Sequence, residues 1–156
     1  MNMKVYYTYE EALEIIEKFM IESGIRKYCE NICKGECCKD CPNPCFKRGQ
    51  RRLPCSVYIC DWLRYLLPNS HALQYLDELI FDSLLEVMQR NPYYHPNEEV
   101  KEKFKILKSH LNVIKLFEVT KYKKITEYLI SNKIKVYMKD EKELKKLKKI
   151  LRSYIK

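Results

Sequence analysis

Eight cysteines between residues 29 and 60 are the residues of this chain whose type and spacing could do chemistry. They follow one another as C-x3-C-x3-C-C-x2-C-x3-C and then C-x4-C, at Cys29, Cys33, Cys37, Cys38, Cys41, Cys45, Cys55 and Cys60. Thiolates are soft ligands suited to zinc and to iron–sulfur clusters, and four around one centre is the usual number. The pattern therefore predicts a metal site, either as two four-thiolate sites or as one cluster with several cysteines to spare.

The spacing leaves the identity of the metal open. Only Cys38 and Cys41 form the paired C-x2-C knuckle that is typical of zinc ribbons. The C-x2-C-x2-C run of bacterial ferredoxins and the C-x3-C-x2-C spacing of radical-SAM enzymes are both absent. Zinc and a [4Fe-4S] cluster are equally favoured, and disulfides or free thiols are the third interpretation, since some hyperthermophile proteins carry cytosolic disulfides.

Two short motifs within this segment resemble a known family. Gly35-Glu36-Cys37-Cys38, followed by Cys55-Ser56-Val57-Tyr58 and Cys60, resembles the zinc- or iron-chelating cysteine-cluster family, which pairs G-x-C-C with a downstream C-S-[IV]-Y. The match lies within residues 29–60, and the Arg-Pro that commonly follows the tyrosine is missing. The resemblance implies metal or cluster binding, with no defined reaction, through Cys37, Cys38, Cys41 and Cys55.

The net charge of +9 is concentrated in the last third of the chain. Residues 1–100 carry 12 basic and 15 acidic side chains, whereas residues 101–156 carry 18 basic and 6 acidic ones. Lysines of this part could neutralise nucleic-acid phosphates, with these as the candidates: Lys121, Lys123, Lys124, Lys145, Lys146, Lys148 and Lys149. An ordinary solvated lysine face is the alternative interpretation. Few arginines favour electrostatic, salt-dependent contact over base-specific recognition.

The remaining signals argue against a membrane protein and against a familiar enzyme. The N-terminus lacks the basic and apolar regions of a signal peptide, and no stretch approaches the roughly 20 apolar residues that span a bilayer. We therefore expect a cytoplasmic protein with no membrane contact. The phosphate-binding, nucleophile-elbow and zinc-protease motifs are absent, so the sequence predicts no catalytic residues.

Apolar periodicity and capping residues predict a succession of helices. Thr8 and Glu11 form a capping-box pattern at the start of a helix over 9–23. Further helices are predicted within 56–67, over 70–90, from Asn97 through Ile114, over 122–130 and over 141–155. Residues 3–7 and 133–138 are typical of short strands, and these two strands could pair with each other.

These elements predict a mainly α fold, a compact helical domain with a cysteine-rich, metal-clamped loop and at most a small two-stranded sheet. Residues 1–97 would form a helical core into which the cysteine segment 29–60 is inserted. Residues 98–156 would form a basic helical part of the same unit, loosely compatible with a winged helix. We expect a non-catalytic metal-binding protein that contacts nucleic acid or a larger protein complex. The alternative is an iron–sulfur redox or maturation factor that docks on a larger enzyme.

Overall fold

The structure is a computed structural model that describes residues 5–34, 53–87 and 97–155, excluding the side chains of residues 54 and 55. The elements in chain order are β1 Tyr6–Tyr7, α1 Tyr9–Glu22, α2 Ile25–Tyr28, a π-helical turn Cys29–Cys33, α3 Leu53–Ser56, α4 Asp61–Leu66, α5 Ser70–Val87, α6 Glu98–Lys103, β2 Ile106–Leu107, α7 Lys108–Leu111, a 3-10 turn Asn112–Leu116, α8 Val119–Ser131 and α9 Glu141–Tyr154. The predicted mainly helical fold with a small two-stranded sheet is confirmed.

Two of the predicted helix starts are capped by the expected side chains. The Glu11 amide donates to the Thr8 hydroxyl at 3.2 Å, and the Thr8 amide donates to the Glu11 carboxylate at 3.1 Å. The Val100 amide donates to Asn97 Oδ1 at 2.9 Å at the start of α6. Both caps satisfy backbone amides that the first turn of a helix leaves without partners, which fixes where the helices begin.

The apolar faces of α1, α5, α8 and α9 meet in one hydrophobic cluster. That cluster contains buried residues from before and after residue 97, and it includes three edge-on or tilted aromatic contacts among Phe19, Phe117 and Tyr122. Its members on the four helices include Ala12, Ile16, Phe19, Leu73, Leu76, Ile80, Leu84, Tyr122, Ile125, Leu129, Leu144, Leu147 and Leu151. Burial of these side chains is the main stabilising term for such a fold.

The single helix predicted from Asn97 through Ile114 is wrong. Helix α6 ends at Lys103, and Phe104 turns into an extended conformation and packs edge-on against Tyr9 at 5.7 Å. The chain then forms β2, which pairs antiparallel with β1 through Tyr6–Leu107 and Tyr7–Ile106. The apolar spacing fits a helix equally well, but sheet pairing and the burial of Phe104 decide the conformation.

The strand predicted over 133–138 is also wrong, and so is its pairing with the N-terminal strand. Lys133 and Met138 have φ values of 53° and 67°, which a β-strand cannot accommodate. Between them, Val136 is fully buried and its amide donates to the Tyr28 hydroxyl at 2.9 Å. A winged helix would need a strand over these residues. The Ile134 carbonyl and the Val136 amide instead hydrogen bond to the Tyr28 side chain, so they do not pair with a neighbouring strand.

The helix predicted within 56–67 is interrupted rather than continuous. Helix α3 ends at Ser56 and α4 begins at Asp61, with Cys60 extended at the boundary (φ −61°, ψ 152°). The break matters for the candidate site, because it places a buried cysteine at the first turn of α4.

Candidate metal site and basic surface

Two predicted ligands, Cys29 and Cys33, lie on the π-helical turn that ends the N-terminal helical region. The Lys34 amide donates to the Cys29 carbonyl at 2.8 Å, which is the i to i+5 hydrogen bond of a π-helix. Cys33 is 2% exposed and Cys29 is half-buried. Isolated π-turns are found frequently at functional sites, so this turn favours a functional site in its surroundings.

Cys60 lies near Cys33 although 26 residues separate them in the sequence. Cys60 is 6% exposed, and burial raises its pKa to about 11. The charge of Cys33 raises this pKa further, so the two sulfur atoms are close enough to interact electrostatically. The backbone amides of Leu63 and Trp62 lower it, because the amides of a helix start stabilise a thiolate.

The Tyr28 hydroxyl joins these cysteines to the C-terminal part of the chain. It donates to the Ile134 carbonyl at 2.7 Å and accepts from the Val136 amide at 2.9 Å. The Cys33 side chain also hydrogen bonds to it. Burial raises the pKa of Tyr28 far above its usual value, and the charge of Cys33 raises it further. We call Tyr28, Cys33 and Cys60 the cysteine junction.

Helix α3, where the described chain resumes after residue 34, is fixed to α1 by polar contacts. The Leu53 amide donates to the Tyr9 hydroxyl at 2.9 Å. The buried Ser56 hydroxyl donates to Glu17 Oε1 at 2.5 Å, and Arg26 forms two hydrogen bonds to the same carboxylate. Both flanks of the cysteine segment are therefore held by the helical core.

The other predicted ligands cannot be placed. Cys37, Cys38, Cys41 and Cys45 lie outside the described residues, as does the side chain of Cys55 on α3. Within the described ranges, no three Cys, His, Asp or Glu side chains come together in a way that could hold a metal ion. A site built on Cys33 and Cys60 therefore needs ligands from the remaining cysteines.

The predicted lysines of α9 lie together on its outer side. At about 100° per residue, the six basic positions cover an arc of about 160° on the helix, opposite the buried leucines. Lys148 lies over the Tyr65 ring of α4, with its ammonium 4.3 Å from the ring centroid. Lys145 pairs with Glu141 at 3.2 Å. A groove of about 500 Å³ follows this arc and is lined by Tyr65 and by the residues that we call the basic face of α9: Lys142, Lys145, Lys146, Lys148, Lys149 and Arg152.

A second groove joins the basic face to α8. It has a volume of about 410 Å³ and lies between the α4–α5 turn, α8 and α9. Lys121, Lys148, Arg152 and His71 line it, and we call it the α8–α9 groove. Lys121 pairs with Glu118 at 3.2 Å. The structure thus brings Lys121 together with Lys148. The other two predicted α8 lysines are exposed and line neither groove: Lys123 and Lys124.

One buried carboxylate lies between α4 and α5. Asp77 Oδ2 is 4.0 Å from Arg64 Nη1, and within the described part of the chain its Oδ1 atom is buried without a hydrogen-bond partner. Burial raises the pKa of Asp77 to about 6, although the Arg64 charge acts in the opposite direction.

Sequence reasoning missed Tyr28, His71 and Arg152. Arg152 could have been found, because it falls on the same arc of α9 as the predicted lysines. Tyr28 immediately precedes Cys29, but nothing in the sequence indicates that its hydroxyl bonds to residues more than 100 positions away. His71, at the start of α5, lines the groove together with residues of α8 and α9, and nothing in its sequence spacing indicates that it lies near them.

Comparison with known proteins gave no matching family model, no matching curated protein and no matching solved structure. The resemblance to the cysteine-cluster family therefore stays a prediction that depends on the two motifs alone. None of the helices in the described ranges is long and apolar enough to cross a membrane.

Proposed function

We propose that this is a non-catalytic, cytoplasmic metal-binding protein, whose zinc ion or [4Fe-4S] cluster is held by Cys33, Cys60 and further cysteines of the 29–60 segment. The observation that carries the proposal is that Cys33 and Cys60, from segments far apart in the sequence, are both buried and close enough to interact electrostatically. Two neighbouring buried thiols in a segment with six more cysteines are a suitable start for a thiolate site.

The surroundings of the two cysteines also suit a thiolate-bound metal. The amides of Leu63 and Trp62 stabilise negative charge on Cys60, and outer-shell hydrogen bonds of this kind orient ligands and tune a metal. The Tyr28 hydroxyl is a further hydrogen-bond partner of Cys33. When bound, the metal would contribute its binding free energy to folding and would order a segment with few apolar side chains.

The test is the metal content of anaerobically purified full-length protein, measured by elemental analysis and absorption spectroscopy. We expect either stoichiometric zinc in a colourless protein or iron in a brown one. The variants Cys33→Ser and Cys60→Ser should each lose most of the metal. Ile59→Ala is the matched control, because it truncates a buried neighbour of Cys60 and keeps every thiol.

Each alternative has its own signature in the same experiment. An absorption band that reductant bleaches would favour the iron–sulfur redox or maturation factor that docks on a larger enzyme. Protein that holds neither metal and shows no reactive thiols under denaturing, non-reducing conditions would be a disulfide-stapled scaffold, and the metal proposal would be wrong.

We propose nucleic acid as the partner, bound through the basic face of α9. The supporting observation is that these cations lie on one exposed side, and that among the described carboxylates none lies within 4.0 Å of the ammonium groups of Lys142, Lys146, Lys148 or Lys149. The apolar side of α9 packs into the protein core, so the helix cannot insert it into a membrane surface. Binding should be electrostatic, with an affinity that falls steeply as salt rises.

Fluorescence anisotropy with a labelled single-stranded oligonucleotide at several salt concentrations tests this partner. We expect the triple variant Lys145→Gln, Lys146→Gln, Lys149→Gln to bind more weakly and with a shallower salt dependence than the wild type. Equal binding by both proteins would contradict the assignment to the basic face of α9, and no binding by either protein would favour a larger protein complex as the partner.

A further inference from the structure

The α8–α9 groove differs from the rest of the basic surface because its polar side chains come from three separate elements, with cations on two of them and an imidazole on the third. Lys121 belongs to α8, Lys148 and Arg152 to α9, and His71 to α5. Lys148 and Arg152 also line the groove along the basic face of α9, so the two grooves meet at these side chains. A chain of negative groups lying along α9 would reach the α8–α9 groove at this point.

From this convergence we infer that the α8–α9 groove is a specific binding site for one phosphate group. A phosphate presents several acceptor oxygens, which donors from several directions satisfy better than a row of lysines on one helix face. Arg152 can donate two parallel hydrogen bonds to it, and Lys121 and Lys148 add point charges. The volume of about 410 Å³ lies within the range of small-ligand sites, so the groove also has room for an attached nucleoside.

Two features of the groove favour binding over simple solvation of the cations. Leu66, Ile125 and Leu151 are buried and form part of its lining, and apolar walls strengthen the electric field of the surrounding charges. Lys148 is half-buried, and its contact with the Tyr65 ring restricts the side chain before any ligand arrives.

One carboxylate opposes this inference and must be displaced. Glu118 pairs with Lys121 at 3.2 Å, but its side chain is 69% exposed. Exposed ion pairs contribute little to stability, whereas a phosphate hydrogen-bonded by several cations gains more from the same lysine. We therefore expect a bound phosphate to replace Glu118 as the ion-pair partner of Lys121.

The inference deepens the nucleic-acid part of the proposed function and rests on it for the source of the phosphate, which is either the end of a nucleic-acid strand or a free phosphate compound. Three probes distinguish the sources: inorganic phosphate, a short oligonucleotide with a 5′-phosphate, and the same oligonucleotide with a 5′-hydroxyl. Calorimetry measures the affinities, and amide chemical shifts of the isotope-labelled full chain locate the site.

We expect inorganic phosphate to shift the amides around His71, Lys121 and Arg152, and the 5′-phosphate to strengthen oligonucleotide binding. Lys121→Gln and Arg152→Gln should each weaken phosphate binding about tenfold, as the loss of one charge-assisted hydrogen bond implies. Lys123→Gln is the matched control for Lys121→Gln, because it removes the same charge from the same helix outside the groove.

Equal weakening by Lys121→Gln and Lys123→Gln would overturn the inference, since it would show only the general field of the lysines. Oligonucleotide binding without any phosphate binding would also overturn it and would leave the nucleic-acid proposal intact. Phosphate binding without oligonucleotide binding would have the opposite meaning: the groove would serve a free phosphate compound, and the nucleic-acid proposal would be wrong.

Discussion

The cysteine junction and the basic face of α9 each contain members of one of the two sets of residues that the sequence singles out, and the two regions differ in burial. At the junction, Tyr28, Cys33 and Cys60 are buried and their polar atoms bond to protein groups. On α9, the charges lie at the surface and only the leucines beneath them are buried.

This difference in burial predicts that substitutions at the junction change stability, whereas substitutions on α9 change binding. Polar groups at the junction cannot be removed without leaving buried partners unsatisfied, so changes there should destabilise the fold and, under the proposed function, weaken metal binding. Charges on α9 cost little to remove, because water already solvates them. Changes there should alter partner binding and leave folding almost unchanged.

The largest expected effect is at Gly24, next to the junction, where α2 packs against α8. Its φ is 80°, and an added Cβ would lie 2.1 Å from Thr126 Oγ1, which itself donates to the Ser23 carbonyl at 3.0 Å. We expect Gly24→Ala to lower the free energy of unfolding by about 3 to 4 kcal/mol, measured by urea denaturation. The double variant with Thr126→Ala should recover part of this loss, and strict additivity would contradict the steric explanation.

Asp77 should make stability depend on pH. Because its folded pKa of about 6 exceeds the unfolded value of 3.8, the native state holds the proton more tightly. The resulting stabilisation is complete below pH 4 and is lost as pH rises through 6, with a total of about 3 kcal/mol. Asp77→Asn should abolish this part of the profile in denaturation curves from pH 4 to 8. An unchanged profile would show that the carboxylate is not desolvated.

Tyr28→Phe should destabilise the protein by about 2 kcal/mol, because it leaves the Ile134 carbonyl and the Val136 amide without their partner in a buried place. The substitution should accelerate amide hydrogen exchange more over residues 133–155 than in the rest of the described chain. Tyr122→Phe is the control, since it also removes a buried tyrosine hydroxyl, one that donates to the Pro68 carbonyl. An equal effect of both variants on the C-terminal residues would argue against a special role for Tyr28.

The smallest effect on folding is expected on α9. Lys146→Gln and Lys149→Gln should each change the free energy of unfolding by less than about 0.5 kcal/mol. Each should nevertheless reduce the slope of oligonucleotide affinity against salt by about one phosphate contact. A substantial loss of folding stability in either variant would contradict the expectation that, of the two regions, only changes at the cysteine junction destabilise the fold.

Local signals predicted those elements whose ends are fixed within the segment itself. The capping pairs at Thr8 and Asn97 and the heptad-like leucines of α9 are of this kind. The predictions for residues 104–114 and 133–138 are wrong because distant groups determine the conformations of these residues. β1 pairs with Ile106–Leu107, and the Tyr28 hydroxyl bonds to the backbone at 134 and 136.

The candidate site shows the same division. Cysteine identity and lysine periodicity could be read directly from the sequence. The proximity of Cys33 to Cys60, and the lining of one groove by Lys121 and Lys148, depend on how the helices pack and cannot be inferred from the sequence spacing.

The π-turn at Cys29–Cys33 has a consequence for how this chain can evolve. A turn closed by an i to i+5 bond holds one residue more than regular α-helix would. Loss of a single codon between the two cysteines would let the Lys34 amide, then four positions after Cys29, form the ordinary α-helical bond to the Cys29 carbonyl, so Cys33 would keep nearly the same direction relative to α2. The turn should therefore tolerate the loss of one residue between the cysteines in a descendant lineage that keeps the junction, whereas the same loss from a regular α-helix would turn the following side chains by about 100°.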